Sequence, residues 1–291
     1  MRIVSLLASA TEIVCALGAG DLLVGRSHEC DNPEWVKRLP LCSEPAFDVS
    51  GTSGEIDSEV RRRLAAGEPL YTIHTDLIRE LKPDLILTQT HCDVCAVTPK
   101  DVGCSIEARQ VALSASRLAD IFESILEIAR ALGMEERGRE VVSQENARLE
   151  NVRRRTAGFP RRRLAALEWI DPLFAMGNWG PELVEIANGE PVLGRAGEMS
   201  GTVDAQKIID ANPEVVIVAP CGFDLERTLR ERPLLEAQEW WGRAGRVVFA
   251  DGNRFFNRSG MTVAPTAEIL AEVLHGVTFD GSSEGVHWCR A

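Results

Sequence analysis

Residues 76–88 read DLIRELKPDLILT, a pattern that predicts a helix, a break at Lys82-Pro83-Asp84 and a short apolar strand over residues 85–88. Residues 204–218 read DAQKIIDANPEVVIV and repeat this order, with the strand over Val215–Val218. Proline ends each helix because it has no amide hydrogen to donate and restricts the residue before it. Two copies of one helix-strand unit, far apart in the sequence, indicate a chain made of two related halves.

A further set of units precedes each of these copies in matching order: strand, helix, short strand. The units cover residues 2–7, 12–17 and 22–25 in the first half, and residues 164–169, 182–187 and 191–194 in the second. Short apolar runs that alternate with helical patterns indicate parallel sheets covered by helices. We therefore predict an α/β fold with two Rossmann-like lobes, each built on a parallel sheet.

The segment between the halves has a helical pattern throughout. Apolar residues keep helical spacing over residues 118–132, and a more polar pattern follows Gly133 over residues 137–155. At about 1.5 Å per residue the second helix spans about 28 Å, enough to join two lobes as a stiff rod with a ligand cleft between them. The predicted domains are an N-terminal α/β lobe over 1–115, a helical connector over 116–160 and a C-terminal α/β lobe over 161–291.

The charge of the chain argues against nucleic-acid binding, and its hydropathy argues against membrane insertion. The 44 acidic residues outnumber the 32 basic ones and leave a net charge of −12, whereas nucleic-acid binding needs a concentrated basic surface. No apolar run is long enough to cross a bilayer, so we predict no membrane insertion. Met1 and Arg2 lead directly into the first strand rather than into a signal peptide. We therefore expect a cytoplasmic location, and a periplasmic one only if a signal peptide has been removed.

Three motifs resemble one family of proteins. They are Ser9-Ala10-Thr11-Glu12-Ile13, residues 16–25 (ALGAGDLLVG) and residues 81–87 (LKPDLIL). Over nearly its whole length the chain resembles the substrate-binding proteins of vitamin B12 and iron-siderophore ABC transporters, which have the class III periplasmic binding protein fold. Within that family, residues 90–97 (THCDVCAV), 168–172 (EWIDP) and 220–223 (PCGF) are similar to a cobalamin-binding branch. The resemblance implies two lobes joined by a helix, with a small-molecule ligand in the cleft.

The resemblance also implies an ABC permease as a partner. In such transporter proteins, a carboxylate near the start of the helix before each proline-strand unit is thought to pair with permease arginines. Aligned on Pro83 and Pro213, these positions are Asp76 and Gln206. The first position carries a shorter acid and the second carries no acid, so we expect docking to a permease through two salt bridges to be compromised.

Candidate ligand contacts come from loops after the strands, because ligands of open parallel sheets bind beyond the carboxyl ends of the strands. These candidates are His28, Cys30, His91, Cys92, Cys95, Trp169, Asp171, Trp179, Cys221, Phe223, Phe256 and Arg258. Tryptophan and phenylalanine offer flat apolar faces for a corrin or porphyrin, although Trp169 could instead pack at a strand end. Arg258 could hold a carboxylate or phosphate edge through two of its guanidinium nitrogens.

The cysteine and histidine candidates have more than one interpretation. His91, Cys92, Cys95 and Cys221 could bind one metal ion or contact a cofactor, could perform redox or nucleophilic chemistry, or could simply stabilise loops. Imidazole is a natural axial ligand for cobalt or iron in a macrocycle, but His28 could equally be a hydrogen-bonded turn residue.

Two functions therefore remain open at this point. The repeat architecture, the aromatic residues of the cleft and the resemblance favour non-catalytic binding of a cobalamin-like ligand, another tetrapyrrole or a metal chelate, and no known catalytic motif is found in the sequence. The alternative is a cytoplasmic enzyme or metal-handling protein that uses the cysteines and histidines of the cleft directly.

Overall fold

The structure is a computed structural model that describes residues 1–91, 94, 96–103 and 106–291. Its strands form two sheets, one in each half of the chain, with helices packed on their faces. The predicted α/β fold of two lobes joined by a helix is confirmed.

The first sheet contains six strands, and five of them are parallel. In chain order they are β1 (Ile3–Ser5), β2 (Leu23–Ser27), β3 (Leu41–Pro45), β4 (Tyr71–Ile73), β5 (Leu85–Gln89) and β6 (Arg109–Leu113). Their spatial order is β4-β3-β2-β1-β5-β6, and β4 is an antiparallel edge strand. β5 is buried along its whole length, as its continuous apolar run predicts.

The second sheet contains seven strands. They are β7 (Arg162–Trp169), β8 (Phe174–Ala175), β9 (Gly189–Pro191), β10 (Gly201–Thr202), β11 (Val215–Val218), β12 (Arg246–Ala250) and β13 (Trp288–Arg290). The spatial order is β10-β8-β7-β11-β12-β13, and β9 pairs with the first residues of β7. The parallel order β9-β7-β11-β12 repeats the order β2-β1-β5-β6 of the first sheet. β8 pairs antiparallel with the last residues of β7, so it adds a strand at the carboxyl end of β7.

The helices cover both sheets. They are α1 (Ala8–Ala16), α2 (Ser53–Ala66), α3 (Thr75–Leu81), α4 (Pro99–Val102), α5 (Leu118–Leu132), α6 (Glu135–Thr156), α7 (Gly180–Ile186), α8 (Ala205–Ala211), α9 (Leu225–Arg230), α10 (Arg232–Glu236) and α11 (Val263–His275). Within the described part of the chain, every helix is too short or too polar to cross a bilayer.

The connector consists of α5 and α6, which turn on Gly133 in the left-handed conformation (φ 69°). Both helices contribute side chains to the cores of both lobes. In α6, Val141 packs in the first-lobe core, whereas Leu149 and Val152 pack in the second-lobe core. At 22 residues α6 is about 33 Å long, so one rigid helix links the two cores.

Two elements differ from their predicted positions. α1 begins at Ala8 rather than at residue 12, because the Thr11 amide already donates to the Leu7 carbonyl, and only Leu6 and Leu7 separate the helix from β1. β9 lies earlier than the predicted strand over residues 191–194. It begins at Gly189, where a Cβ atom would lie 2.7 Å from Val184, so only glycine permits this close packing on α7.

Candidate functional site

Residues that follow strands in the two lobes contact each other, which brings the carboxyl ends of both sheets face to face. Asp31 follows β2 and Arg258 follows β12, and their charged groups lie 2.8 Å apart. Ligands of parallel α/β sheets bind beyond this end of the strands. The candidate site is therefore the cleft between the lobes.

One polar contact across the cleft centres on a buried arginine; we call Glu12, Asp31, Asn253 and Arg258 the Arg258 bridge. Arg258 Nη1 lies 2.8 Å from both Glu12 Oε1 and Asp31 Oδ1. Arg258 Nε donates to the Asn253 carbonyl at 2.7 Å, and Asn253 Nδ2 donates to Asp31 Oδ2 at 3.3 Å. The side chains of Glu12 and Arg258 are only 3% and 6% exposed. Such burial of charge is tolerated because the charges are paired.

The two carboxyl groups of the bridge differ in their acidity. Burial raises the pKa of Glu12 above its ordinary value, and the charge and hydrogen bond of Arg258 offset only part of that rise. Burial also raises the pKa of Asp31, but there the hydrogen bond and charge of Arg258, with the hydrogen bond of Asn253 and the charge of Lys37, outweigh it and leave the pKa below its ordinary value. Arg258, predicted to hold an acidic edge of a ligand, is thus held by two acids of the protein itself.

A second polar contact joins the lobes at the start of α2; we call Ser53 and Glu231 the Ser53 bridge. The Ser53 amide and hydroxyl donate to the two oxygens of Glu231 at 2.7 and 2.5 Å, and both side chains are buried. A carboxylate is favoured at this position because the first amides of a helix have no partner within the helix and the helix dipole is positive there. Beside it, a Cβ atom on Gly54 would lie 2.5 Å from Asp171 Oδ2, so Asp171 also lies against the start of α2.

Two predicted contacts meet directly across the cleft. The rings of His91, after β5, and Trp179, before α7, have their centres 6.1 Å apart. Trp179 is 7% exposed, and its indole Nε1 is buried with no hydrogen-bond partner among the described residues. Burial lowers the pKa of His91, so its imidazole is neutral at neutral pH, which is the form that binds metal ions.

Trp169 and Phe223 form an aromatic pair at the ends of β7 and β11. Their rings meet edge to face with centres 5.3 Å apart, and Trp169 Nε1 donates to the Asp171 carbonyl at 3.1 Å. Phe223 is 2% exposed, and the Arg227 guanidinium lies 3.8 Å from its ring centre. Arg227 also donates to the carbonyls of Val49 and Gly51 in the first lobe. This pair thus belongs to the same interlobe surface as the Ser53 bridge.

The loop after β2 presents His28 and Glu29 and buries Cys30. The His28 ring lies 5.6 Å from that of Tyr71, and burial lowers its pKa, so it too is a neutral imidazole. The Cys30 sulfur is buried and forms hydrogen bonds with the hydroxyls of Thr11 and Ser27 at 3.0 and 3.2 Å. Burial raises the pKa of Cys30, so it is an unreactive thiol in this environment.

The other predicted residues fall in different surroundings. Cys221 follows β11, and its amide donates to the Glu168 carbonyl at 3.0 Å. Phe256 is 3% exposed and packs in the second-lobe core. Cys92 and Cys95 lie outside the described residues. Among the residues that are described, no group of three or more histidine, cysteine or acidic side chains is arranged to hold a metal ion.

The predicted permease-docking positions lie on the outer helices of the two lobes. Asp76, in the first turn of α3, is 91% exposed and pairs with Arg79 at 2.6 Å. Gln206, in α8, is exposed and donates to Asp210 at 2.7 Å. An acid is thus available near both positions, although the one on α8 lies one turn later than expected.

Several residues of the site were missed by the sequence reasoning. Glu12, Asp31 and Glu231 were not predicted as site residues, because each is an acid in an ordinary helical or loop context. Their partners are far away in the chain, with Ser53 and Glu231 separated by 178 positions. The only signal was that Asp31 lies in a loop at the carboxyl end of a strand.

The chain is similar to known binding proteins in sequence. Residues 3–251 match the family model described as "Periplasmic binding protein". The vitamin B12-binding protein of Vibrio vulnificus (strain YJ016) is 26% identical over 223 residues, which are 75% of this chain and 71% of that protein.

The fold is similar to that of solved binding proteins. A periplasmic haem-binding protein from Pseudomonas aeruginosa superposes with a TM-score of 0.71 at 17% identity, over 99% of this chain and 97% of its own. The periplasmic vitamin B12-binding protein of Vibrio cholerae superposes with a TM-score of 0.65 at 18% identity, over 93% and 94%.

The predicted cytoplasmic location is wrong. The matching family model and the two solved structures describe periplasmic proteins. The prediction rested on the first residues of the chain, but these form β1 of the folded protein and carry no information about its compartment. The family model covers most of the chain, and the fold, the connector and the interlobe cleft agree with it. The chain belongs to the periplasmic binding protein family.

Proposed function

We propose that this protein binds a cobalamin-type ligand in the interlobe cleft, without chemical conversion, and presents it to an ABC permease. One observation carries the proposal: His91 and Trp179, on loops of opposite lobes, have their ring centres 6.1 Å apart. A flat macrocycle that enters the cleft between them meets an aromatic face from one lobe and a neutral imidazole from the other. The similarity to a vitamin B12-binding protein supports the same ligand class.

The chemistry of the two residues suits such a ligand. Trp179 offers an apolar face and a buried Nε1–H with no described partner, which an acceptor on the edge of a corrin would satisfy. His91 offers a nitrogen that could bind the central metal. Trp169, which is held by Phe223, is a second aromatic residue of this lobe that the ligand could meet.

The alternative of an enzyme or metal-handling protein is not favoured. The matching family, the similar vitamin B12-binding protein and the similar haem-binding structure are all described as binding proteins. Within the described residues, Cys30 is a buried thiol with raised pKa, which is a poor nucleophile. Binding without conversion is the simpler account of the cleft.

Ligand titration tests the proposal. We expect isothermal titration calorimetry to show binding of aquocobalamin. Haem and a ferric hydroxamate siderophore are titrated separately as representatives of the alternative ligand classes. Trp179→Leu should weaken binding at least about tenfold, a loss of about 1.4 kcal/mol, since it removes one face of the site. Trp241→Leu is the matched control, because Trp241 packs against Trp240 and Phe249 in a core cluster of the second lobe that does not include Trp179. Absence of aquocobalamin binding would overturn the proposal, whether or not haem or the siderophore binds.

A second pair of variants tests the imidazole. His91→Ala should change the visible spectrum of bound aquocobalamin relative to the wild type. His74→Ala is the control, because His74 lies beside Glu44 at the start of α3, next to the exposed Asp76. An identical spectrum in His91→Ala would show that His91 does not bind the metal.

A further inference from the structure

A strongly basic stretch of the chain lies in the second lobe, outside the interlobe cleft. Residues 153–163 read RRRTAGFPRRR, and no acidic residue occurs between Glu150 and Glu168. The chain as a whole has a net charge of −12, so six arginines within this stretch are a marked local reversal of charge. We call residues 153–163 the arginine segment.

The arginine segment lies at the end of the second lobe that is opposite the cleft. It runs from the last turn of α6 to the first residues of β7, and Arg246 begins β12 at the same edge of the sheet. Because β7, β11 and β12 are parallel, this edge holds their amino ends, whereas the cleft lies beyond their carboxyl ends. A partner can therefore contact this surface while the cleft holds a ligand.

The positive charge of this surface is only partly neutralised. Three of the arginines each pair with one acid: Arg153 with Glu150, Arg162 with Glu214 and Arg163 with Glu190. The other three are exposed and contact neutral groups, which are the Asn151 side chain for Arg154, the Phe279 ring for Arg155 and the Gly189 carbonyl for Arg161. Within the described part of the chain, no acid forms an ion pair with these three. An excess of positive charge therefore faces solvent.

Phe159 lies in the middle of the arginine segment and is held in an exposed position. It is 42% exposed, although phenylalanine is among the residues most often buried. Its ring stacks on that of His275, with the ring centres 5.1 Å apart. The Asn188 side chain donates to the carbonyls of Thr156 and Phe159 at 3.0 and 2.8 Å. A hydrogen-bonded loop therefore presents this ring at the surface.

The stability of α6 does not explain the whole surface. Arginines in the last turn of a helix are favoured by the helix dipole, which accounts for residues 153–155. The dipole does not account for residues 161–163, which follow the helix, or for the exposed Phe159. Basic side chains around an exposed aromatic ring match a surface that has negative charge above an apolar layer. An anionic lipid bilayer has both properties.

We propose that the arginine segment binds peripherally to an anionic phospholipid surface, with its arginines at the phosphates and Phe159 at the boundary between headgroups and acyl chains. The segment lies on the bilayer and does not cross it. Salt limits the reach of each surface charge to about 8 Å, so the acidic residues on other faces of the protein do not cancel the local attraction. The proposal concerns a surface outside the cleft and does not depend on which ligand the cleft binds.

Vesicle co-sedimentation tests the proposal. In low salt we expect the wild-type protein to bind vesicles of phosphatidylcholine mixed with phosphatidylglycerol at least about tenfold more tightly than vesicles of phosphatidylcholine alone. High salt should release the protein from the mixed vesicles, because it screens the attraction between arginines and phosphates. Equal binding to both kinds of vesicle, or binding to neither, would overturn the proposal.

A pair of double variants tests the charges. Arg154→Gln with Arg161→Gln removes two arginines that have no acidic partner and should weaken binding to the mixed vesicles at least about tenfold. Arg38→Gln with Arg139→Gln is the matched control, because it makes the same change in net charge at two exposed positions outside the segment. Equal vesicle binding of the two double variants would show that only the net charge matters, and the role of the segment would be refuted.

A second pair of variants tests the aromatic ring. Phe159→Ser leaves every charge in place and should weaken binding to the mixed vesicles several-fold, because it removes the apolar contact. Leu64→Ser is the control, since Leu64 is 48% exposed on α2 of the first lobe. If Phe159→Ser binds as tightly as the control, the surface suits a purely acidic partner such as an acidic protein, and the bilayer is the wrong partner.

The experiment is separate from the test of the proposed function. Circular dichroism establishes that each variant is folded, and vesicle binding is measured without a ligand in the cleft. Failure of aquocobalamin to bind would leave this proposal standing, and failure to bind vesicles would leave the proposed function standing.

Discussion

Arg258 of the second lobe and Glu12 of the first lobe form an ion pair with 2.8 Å between Nη1 and Oε1, and both side chains are almost fully buried. The pair joins the residues after β12 to the first turns of α1. Because the carboxylate and the guanidinium have lost most of their water, each depends on the other for its solvation. The relative position of the lobes is therefore tied to the integrity of this pair.

Replacing Arg258 should destabilise the whole protein. Arg258→Met leaves Glu12 buried without a cation, and we expect a loss of about 3 kcal/mol in the free energy of unfolding, measured by urea denaturation. Adding Glu12→Gln should recover most of this loss, because the buried charge is then gone. Arg254→Met, at an exposed position of the same turn, should change stability little. A loss below about 1 kcal/mol in Arg258→Met would contradict the importance of the bridge.

The Ser53 bridge should be measurable in the same way. Ser53→Ala removes a hydroxyl that donates to the buried Glu231, and hydrogen bonds to charged groups contribute about 1.5–3 kcal/mol. We expect a loss of about 2 kcal/mol in urea denaturation. Ser50→Ala, on an exposed serine just before α2, is the control. Equal stability of the two variants would show that the bridge does not stabilise the fold.

A double-mutant cycle should reveal the contact between Gly54 and Asp171. Alanine is favoured over glycine within a helix by about 1 kcal/mol, but a Cβ atom at Gly54 would lie 2.5 Å from Asp171 Oδ2. We therefore expect Gly54→Ala to give no gain in stability in the wild type and a gain of about 1 kcal/mol in an Asp171→Ala background. The same gain in both backgrounds would exclude the contact.

Glu29 should make stability depend on pH. Its pKa is raised from 4.5 to about 7 by burial, so the folded state binds this proton more tightly than the unfolded state. Its contribution is most favourable below pH 4.5 and is lost as the pH rises to about 7. Relative to the wild type, Glu29→Gln should therefore gain stability over this window and reach a gain of about 1 kcal/mol at pH 8, since partial exposure screens the full effect. Thermal unfolding across pH 4–8 measures this difference, and a difference that does not vary with pH would refute it.

The repeated architecture could be predicted because its signals are local. Lys82-Pro83-Asp84 and Asn212-Pro213-Glu214 each end a helix and start a buried strand, and α3, β5, α8 and β11 lie close to the predicted positions. β8 and β10 could not be found in this way, because two-residue strands have no periodicity. β8 forms where the end of β7 offers an antiparallel partner, and β10 pairs antiparallel with β8.

The candidate site was predictable in its loops but not in its pairings. His91 and Trp179 were chosen because they follow strands, and the structure brings them together. The partners Arg258 and Glu12 are 246 positions apart, and nothing in their local sequence connects them.

The sharing of α5 and α6 between the two cores has a consequence for how the protein acquires its structure. Leu118 and Ile121 of α5 pack in the second-lobe core, whereas Ile125 and Ile128 of the same helix pack in the first. A chain cut on either side of the connector would leave one fragment with an exposed apolar stripe and the other with an unfilled core. The two halves share one strand order, but each needs the connector to complete its core. We therefore expect each half to aggregate when it is expressed without the other.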